Sequence, residues 1–161
     1  MKGPGILLIL TLVAAWSSTS FARLGEGPDA LRQRYGDPLS SGTVGAFTQS
    51  VYQKSGFSIS VFYQDGVSVL ETFSGRLQQA DARKLVASVA GTSALVRPAQ
   101  CDENVIRKAA GITCKDEVFW TWNGPAGPMS AAFNPVECSL SFFSQPPVYL
   151  TIHEALANAP L

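Results

Sequence analysis

The first hydrophobic and polar pattern of the chain predicts a short helix. Pro28 stands where a first helical turn tolerates a missing N–H. Leu31 and Tyr35 recur on one helical face, and Gly36 followed by Pro38 ends the segment. A helix this short is not stable alone, so its apolar face must pack against another element.

Three β-rich segments follow this helix. Residues 43–53, 57–63 and 67–74 are rich in β-branched and aromatic residues, and 57–63 alternates with the period of a half-buried strand. Short polar turns with glycine, at 54–56 and 64–66, separate them. The pattern predicts a three-stranded antiparallel meander.

The second part of the chain repeats this order. Residues 76–91 have helical spacing and end at Gly91. Beyond 92–116, where Asp102 is placed to begin one short helix, four segments predict a second meander of three or four strands. These segments are 117–122, 129–134, 139–144 and 148–153.

The order helix, strands, helix, strands predicts an α+β fold with antiparallel meander sheets and two helices packed on one face. Two arrangements stay open. One is a helix-plus-sheet repeat with halves 23–75 and 76–154, because each half starts near an Arg-Leu pair. The other is a single sheet of six or seven strands with both helices on one face. Either arrangement makes residues 23–161 one domain.

Residues 1–22 have the pattern of a secretory signal peptide. Lys2 supplies the positive charge, an apolar run follows, and Ser20-Phe21-Ala22 predicts cleavage after Ala22. The apolar run is shorter than the roughly 20 residues that span a bilayer, which argues against a stable membrane span. We therefore expect a periplasmic or secreted protein.

Charge excludes one class of partner. The chain has 12 basic and 12 acidic residues and no basic stripe, which argues against nucleic acid and against electrostatic docking to membranes. A hydrophobic content of 46% is sufficient for a packed core.

Three cysteines, Cys101, Cys114 and Cys138, follow the signal sequence. Export permits a disulfide, and an odd number leaves one thiol over. A local Cys101–Cys114 bridge is the favoured pairing, and Cys114–Cys138 across the second meander is the alternative.

Few residues of the chain suggest a catalytic or metal-binding site. The single histidine, His153, would have to serve as general base in any secreted hydrolase of the Ser–His or Cys–His type. The Cys and His spacings do not match a zinc site, and no glycine-rich loop opens a helix. We therefore expect no metal and no cofactor, and the hydrolase is the alternative to a binding function.

The aromatic content suggests binding. The chain has 9 Phe, 4 Tyr and 3 Trp residues. If helices cover only one face of the sheet, some rings lie on the open face, and aromatic patches favour partner surfaces. Trp122, Phe143 and Tyr149 are the candidates. The alternative is a second sheet that is buried on both sides. The expectation is a non-enzymatic binding protein whose partner is another envelope or secreted protein.

The opening A-R-L-G-E of residues 22–26, followed by R-Y-G-D-P at 34–38, resembles the mature start of short secreted bacterial proteins of unassigned function. The segment 52–57, the Asp65-Gly66 turn and the helix pattern of 77–85 also look like them. More distantly, the chain is similar to small outer-membrane assembly lipoproteins and to β-lactamase-inhibitor-like folds, although it has no cysteine for lipid attachment at the cleavage site. The resemblance implies an α+β scaffold and no catalytic residue.

Overall fold

The computed structural model describes residues 22–91, 93, 118–124 and 127–159, and these contain three helices and seven strands. In chain order the elements are α1 (Pro28–Tyr35), β1 (Ser40–Val44), β2 (Phe47–Lys54), β3 (Phe57–Gln64), β4 (Val67–Ser74), α2 (Gln79–Ala90), β5 (Val118–Gly124), β6 (Gly127–Asn134), β7 (Ser139–Phe143) and α3 (Pro146–Ala157). The predicted α+β class is confirmed.

All seven strands form one antiparallel sheet in the order β1-β2-β3-β4-β7-β6-β5. The two meanders meet at their last strands, where β4 pairs with β7 from Leu70 opposite Phe143 to Ser74 opposite Ser139. Of the two arrangements left open by the sequence, the single sheet is the one found. Each half still consists of a helix followed by a meander.

Helices α1 and α2 pack against one face of this sheet, as predicted. Leu31 and Tyr35 of α1 are buried there, as are Ala82 and Val86 of α2. The face also contains a chain of edge-to-face aromatic contacts, in which the Phe142 ring lies 5.8 Å from that of Phe73 and 6.3 Å from that of Trp122. Such contacts add to the stabilisation that burial alone gives.

The opposite face is covered by α3. Tyr149 and Ile152 of α3 pack in a second buried cluster with Phe62, Leu70 and Phe143. The rings of Tyr149 and Phe143 are stacked, with centroids 4.6 Å apart. The sheet is therefore buried on both sides, which was the alternative to an open aromatic face.

The prediction of a strand over residues 148–153 is wrong, because these residues belong to α3. Two prolines occupy the start of this helix, where their fixed φ is suited to the first turn. Packing of Tyr149 and Ile152 then outweighs the weak strand preference of β-branched residues. The helix comes close to the turn after β1, since a Cβ on Gly45 would lie 3.1 Å from that of Ala155.

The same turn divides the predicted first strand, 43–53, into β1 and β2. Gly45 has a φ of 58°, in the left-handed region that glycine adopts most readily. The sequence gives no cluster of polar residues at this point, so the first meander has four strands where three were predicted.

Cys138 lies in the turn between β6 and β7 and is a free thiol. Its Sγ is 3.6 Å from the Pro135 carbonyl oxygen. The favoured Cys101–Cys114 pair lies outside the described residues, as do residues 1–21 of the predicted signal peptide. Within the described ranges, no helix combines the length and apolar character needed to cross a membrane.

The packing of α3 yields a stability prediction. Ile152 is fully buried beneath the sheet, whereas Leu156, on the same helix, is 40% exposed. Ile152→Ala should lower the free energy of unfolding by about 2–5 kcal/mol, because it leaves a cavity in the second cluster. Leu156→Ala should cost less than about 1 kcal/mol. Urea denaturation measures both, and equal costs would contradict burial of the sheet by α3.

Candidate functional site

The three aromatic residues predicted to bind a partner are all buried. The exposed fraction is 4% for Trp122, 0% for Phe143 and 5% for Tyr149. Trp122 lies in the cluster beneath α1 and α2, and the other two lie in the cluster beneath α3. The three rings therefore belong to opposite sides of the sheet and lend no support to a common binding surface.

His153 lies near the surface of α3, with its ring 4.3 Å from that of Tyr149. Partial burial lowers the pKa of His153, and the charge of Glu137 opposes this effect. Among the described residues, no hydrogen bond joins His153 to a hydroxyl, thiol or carboxylate group. The same residues contain no group of three or more metal-ligating side chains. The hydrolase hypothesis stays a prediction without a supporting contact.

The sequence interpretation missed the residue with the most unusual environment, Glu71 in the middle of β4. Its side chain is fully buried, and its register partners are Val61 of β3 and Phe142 of β7. The signal was present in the alternation of β4, where Glu71 shares a face with Phe73 of the core. A carboxylate at a core position requires partners that spacing alone does not reveal.

Those partners come from α1 and from the segment before it. The Tyr35 hydroxyl donates to Glu71 Oε2 at 2.9 Å and accepts from the main-chain N–H of Ala22 at 3.2 Å. The main-chain N–H of Arg23 also hydrogen-bonds the Glu71 carboxylate. Among the described residues, Glu71 Oε1 has no hydrogen-bond partner. One carboxylate oxygen is thus satisfied and the other is not.

Residues 23–26 are held in place by β4 itself. The Gly25 N–H donates to the Ser68 carbonyl oxygen at 2.8 Å, and the Ser68 N–H donates to the Glu26 carbonyl oxygen at 2.8 Å. The Ser68 hydroxyl adds a bond of 3.3 Å to the Arg23 carbonyl oxygen. The main chain that delivers the Arg23 nitrogen to Glu71 is therefore fixed by three hydrogen bonds.

The cationic side chain that acts on Glu71 is Arg34, and its Nη1 has no hydrogen-bond partner among the described residues. Arg34 pairs with Glu26, and both side chains are largely shielded from solvent. The charge of Arg34 favours ionised Glu71, whereas that of Glu26 opposes it. The Lys54 ammonium group donates to the Arg34 carbonyl oxygen. Within the described part of the chain, no Lys or Arg side chain forms a direct ion pair with Glu71.

Burial therefore dominates the titration of this carboxyl group. It raises the pKa of Glu71 to about 7, against the opposing hydrogen bond from Tyr35 and the charge of Arg34. Burial and the neighbouring Glu71 also raise the pKa of the Tyr35 hydroxyl, which stays a donor. With no solvent exposure, Glu71 cannot reach a substrate. The arrangement suits the binding of a proton or a small cationic group.

A second feature, on the outside of the molecule, is the edge strand β1. Four of its five residues are exposed, and none of the five is charged or proline. Thr43 lies opposite Thr48 of β2, and the hydroxyls of Ser41 and Ser50 are 2.9 Å apart. Strand β1 thus offers an uncharged, hydroxyl-rich edge to an approaching chain.

No protein-family model and no curated protein sequence matches this chain. Among solved structures, it is similar to the crystal structure of a DUF4309 family protein (YjgB) from Bacillus subtilis subsp. subtilis str. 168. The identity is 13%, the TM-score is 0.36, and the match covers 74% of this chain and 79% of that one.

The buried carboxyl group leads to a pH prediction for a chain in which a short polar tag precedes Ala22, so that Arg23 keeps its peptide bond. Folded Glu71 retains its proton up to about pH 7, whereas the unfolded side chain loses it near about pH 4.3. The folded state binds more protons between these values, so the free energy of unfolding falls as pH rises through this window. The total loss is on the order of 4 kcal/mol.

Glu71→Gln should remove this loss, and urea denaturation at several pH values measures it. Asp65→Asn changes an exposed carboxylate in the turn between β3 and β4 and serves as the control. A wild-type pH profile that is parallel to that of Glu71→Gln would contradict the prediction.

Proposed function

We propose that this protein is exported, loses residues 1–22, and acts by binding another envelope or secreted protein. The signal pattern and the balanced charge support this proposal. So does the arrangement at His153, which contacts Tyr149 and no described nucleophile. Both faces of the sheet carry helices, so the partner is bound at an edge and not through an aromatic face.

The observation that supports the proposal most strongly is the exposed edge of β1, which has no charged residue and no proline. An edge strand presents main-chain N–H and C=O groups that can pair with another chain. Natural sheets usually block such edges with lysine, proline or a bulge, and the stretch 40–44 contains neither lysine nor proline. An extended segment that pairs with this edge forms main-chain hydrogen bonds with β1, and these bonds provide the affinity. The partner therefore contributes an extended peptide segment.

A pair of lysine substitutions tests this edge. Thr43→Lys places a charge on β1, whereas Thr48→Lys places the same charge directly opposite, on β2, whose two neighbours are already paired. Both positions are exposed. We expect Thr43→Lys to reduce partner capture about tenfold and Thr48→Lys to change it less than about twofold, because β1 has an open side and β2 has none.

The measurement is quantitative mass spectrometry of proteins crosslinked to each variant in the producing cell's envelope and secreted fractions. Circular dichroism and thermal unfolding confirm that both variants fold. Equal capture by the two variants, or no protein enriched over an untagged control, would refute binding by β1.

A further inference from the structure

We propose that Glu71 is the binding site for the chain's own mature N-terminus: the α-ammonium group that cleavage after Ala22 creates on Arg23. This inference rests on the processing step in the proposed function. Hydrolysis of the Ala22–Arg23 peptide bond consumes one water molecule. Ala22 leaves as the C-terminal residue of the removed peptide, with a new carboxyl group. The Arg23 nitrogen becomes the new amine, and it takes up the proton that this carboxyl group releases.

The position of the nitrogen supports this assignment. In the uncut chain the Arg23 N–H already hydrogen-bonds the Glu71 carboxylate. The three hydrogen bonds between residues 23–26 and Ser68 do not involve Ala22, so cleavage leaves them intact. Cleavage therefore places a positive charge on an atom that already hydrogen-bonds the carboxylate.

The hydrogen-bond inventory supports it independently. Before cleavage, Glu71 Oε1 lacks a partner among the described residues, and the Tyr35 oxygen accepts from the Ala22 N–H. When Ala22 leaves, the Tyr35 oxygen loses that donor. The Arg23 nitrogen changes from one N–H to three, and so gains two donors. The two new donors equal in number the two acceptors, Glu71 Oε1 and the Tyr35 oxygen. Arg34 Nη1 is a further buried donor that has no partner among the described residues.

The charges around the site favour the same outcome. The groups that face Glu71 are Tyr35, Arg34 and Glu26 from α1 and its approach, and the hydroxyl pair of Tyr52 and Tyr63 from β2 and β3. Arg34 is paired with Glu26, so among the described residues no Lys or Arg side chain is paired directly with the Glu71 carboxylate before cleavage. Buried charges in proteins are normally paired, and an ammonium group at Arg23 provides the missing partner.

The residue that cleavage removes is itself strained. Ala22 has a φ of 38°, a value that residues with a Cβ rarely adopt, and it is buried. Its departure removes the strained φ and vacates the buried position that Ala22 occupied next to the new ammonium group. The final state is a buried ion pair that joins the first residue of the mature chain to the central strand.

The first test measures the reactivity of the terminal amine in the exported protein. N-terminal sequencing establishes the first residue, and acylation near about pH 7 is followed by peptide mass spectrometry. We expect the Arg23 α-amine to react at least about tenfold more slowly in the folded protein than in urea, because it is buried and ion-paired. A Gly-Ser insertion between Ala22 and Arg23 moves the amine away from Glu71 and should abolish this protection.

The second test is a double-mutant cycle on stability. Glu71→Gln should reduce the folded-to-unfolded ratio about tenfold more in the natural mature chain than in the Gly-Ser-extended chain, because only the natural start has an ammonium group to lose. Asp65→Asn should reduce the ratio equally in both.

Three results would overturn the proposal. A mature chain that begins at a residue other than Arg23 would remove both this inference and the processing step of the proposed function. If the mature chain begins at Arg23 but its amine reacts as fast in the folded protein as in urea, this inference alone is refuted. Equal effects of Glu71→Gln in the two chains would also refute this inference alone. The latter two results leave binding by β1 unaffected.

Discussion

The antiparallel pairing of β4 with β7 is the interaction on which the rest of the structure depends. It joins the two meanders into one sheet, and it places two strands with covered faces at the centre. All five residues of β7 are buried. Because helices lie on both sides, the Glu71 side chain on β4 is fully buried. Glu71, which lies between β3 and β7, must find its partners inside the protein.

The elements that the sequence predicts correctly are those with strong local signals. Helix α1 begins at Pro28 and ends before Gly36, and β3 and β4 flank the Asp65-Gly66 turn. At α3 the local signals conflict, since V-Y-L-T-I-H has strand-like composition but follows two prolines that suit a helix start. Tertiary packing decides in favour of the helix. Its Tyr149 and Ile152 lie three residues apart, and both point to the sheet.

The error at α3 also explains the fate of the predicted binding residues. With two helices on one face, the sheet has one interior layer, and the aromatic residues exceed what it can hold. A third helix on the other face creates a second interior layer, which takes up Phe143 and Tyr149. Trp122 fits in the first layer against Phe142. The aromatic content thus reflects a sheet buried on both sides, and it carries no information about a partner.

The sequence predicts the burial of Glu71 but not the residues that contact it. Alternation along β4 places the carboxylate on the core face, which is a local inference. Its partner Tyr35 lies 36 residues earlier, and the two meet only because α1 docks across β2 and β4. The docking angle of a short helix depends on packing along its whole face, so no spacing rule gives the contact of Tyr35 with Glu71.

A buried glutamate in the central strand is difficult to explain by the fold alone. An apolar residue of similar volume at position 71 would avoid the cost of desolvating a carboxylate, and such replacements often stabilise proteins. The polar groups of Tyr35 and of the chain at Ala22 and Arg23 would be unnecessary in such a core. All of them converge on the point where the mature chain is proposed to begin. If the chain is cut at the proposed site, the carboxylate fixes the position of the first residue, since a packed apolar core would disfavour a buried charged terminus and offer it no partner.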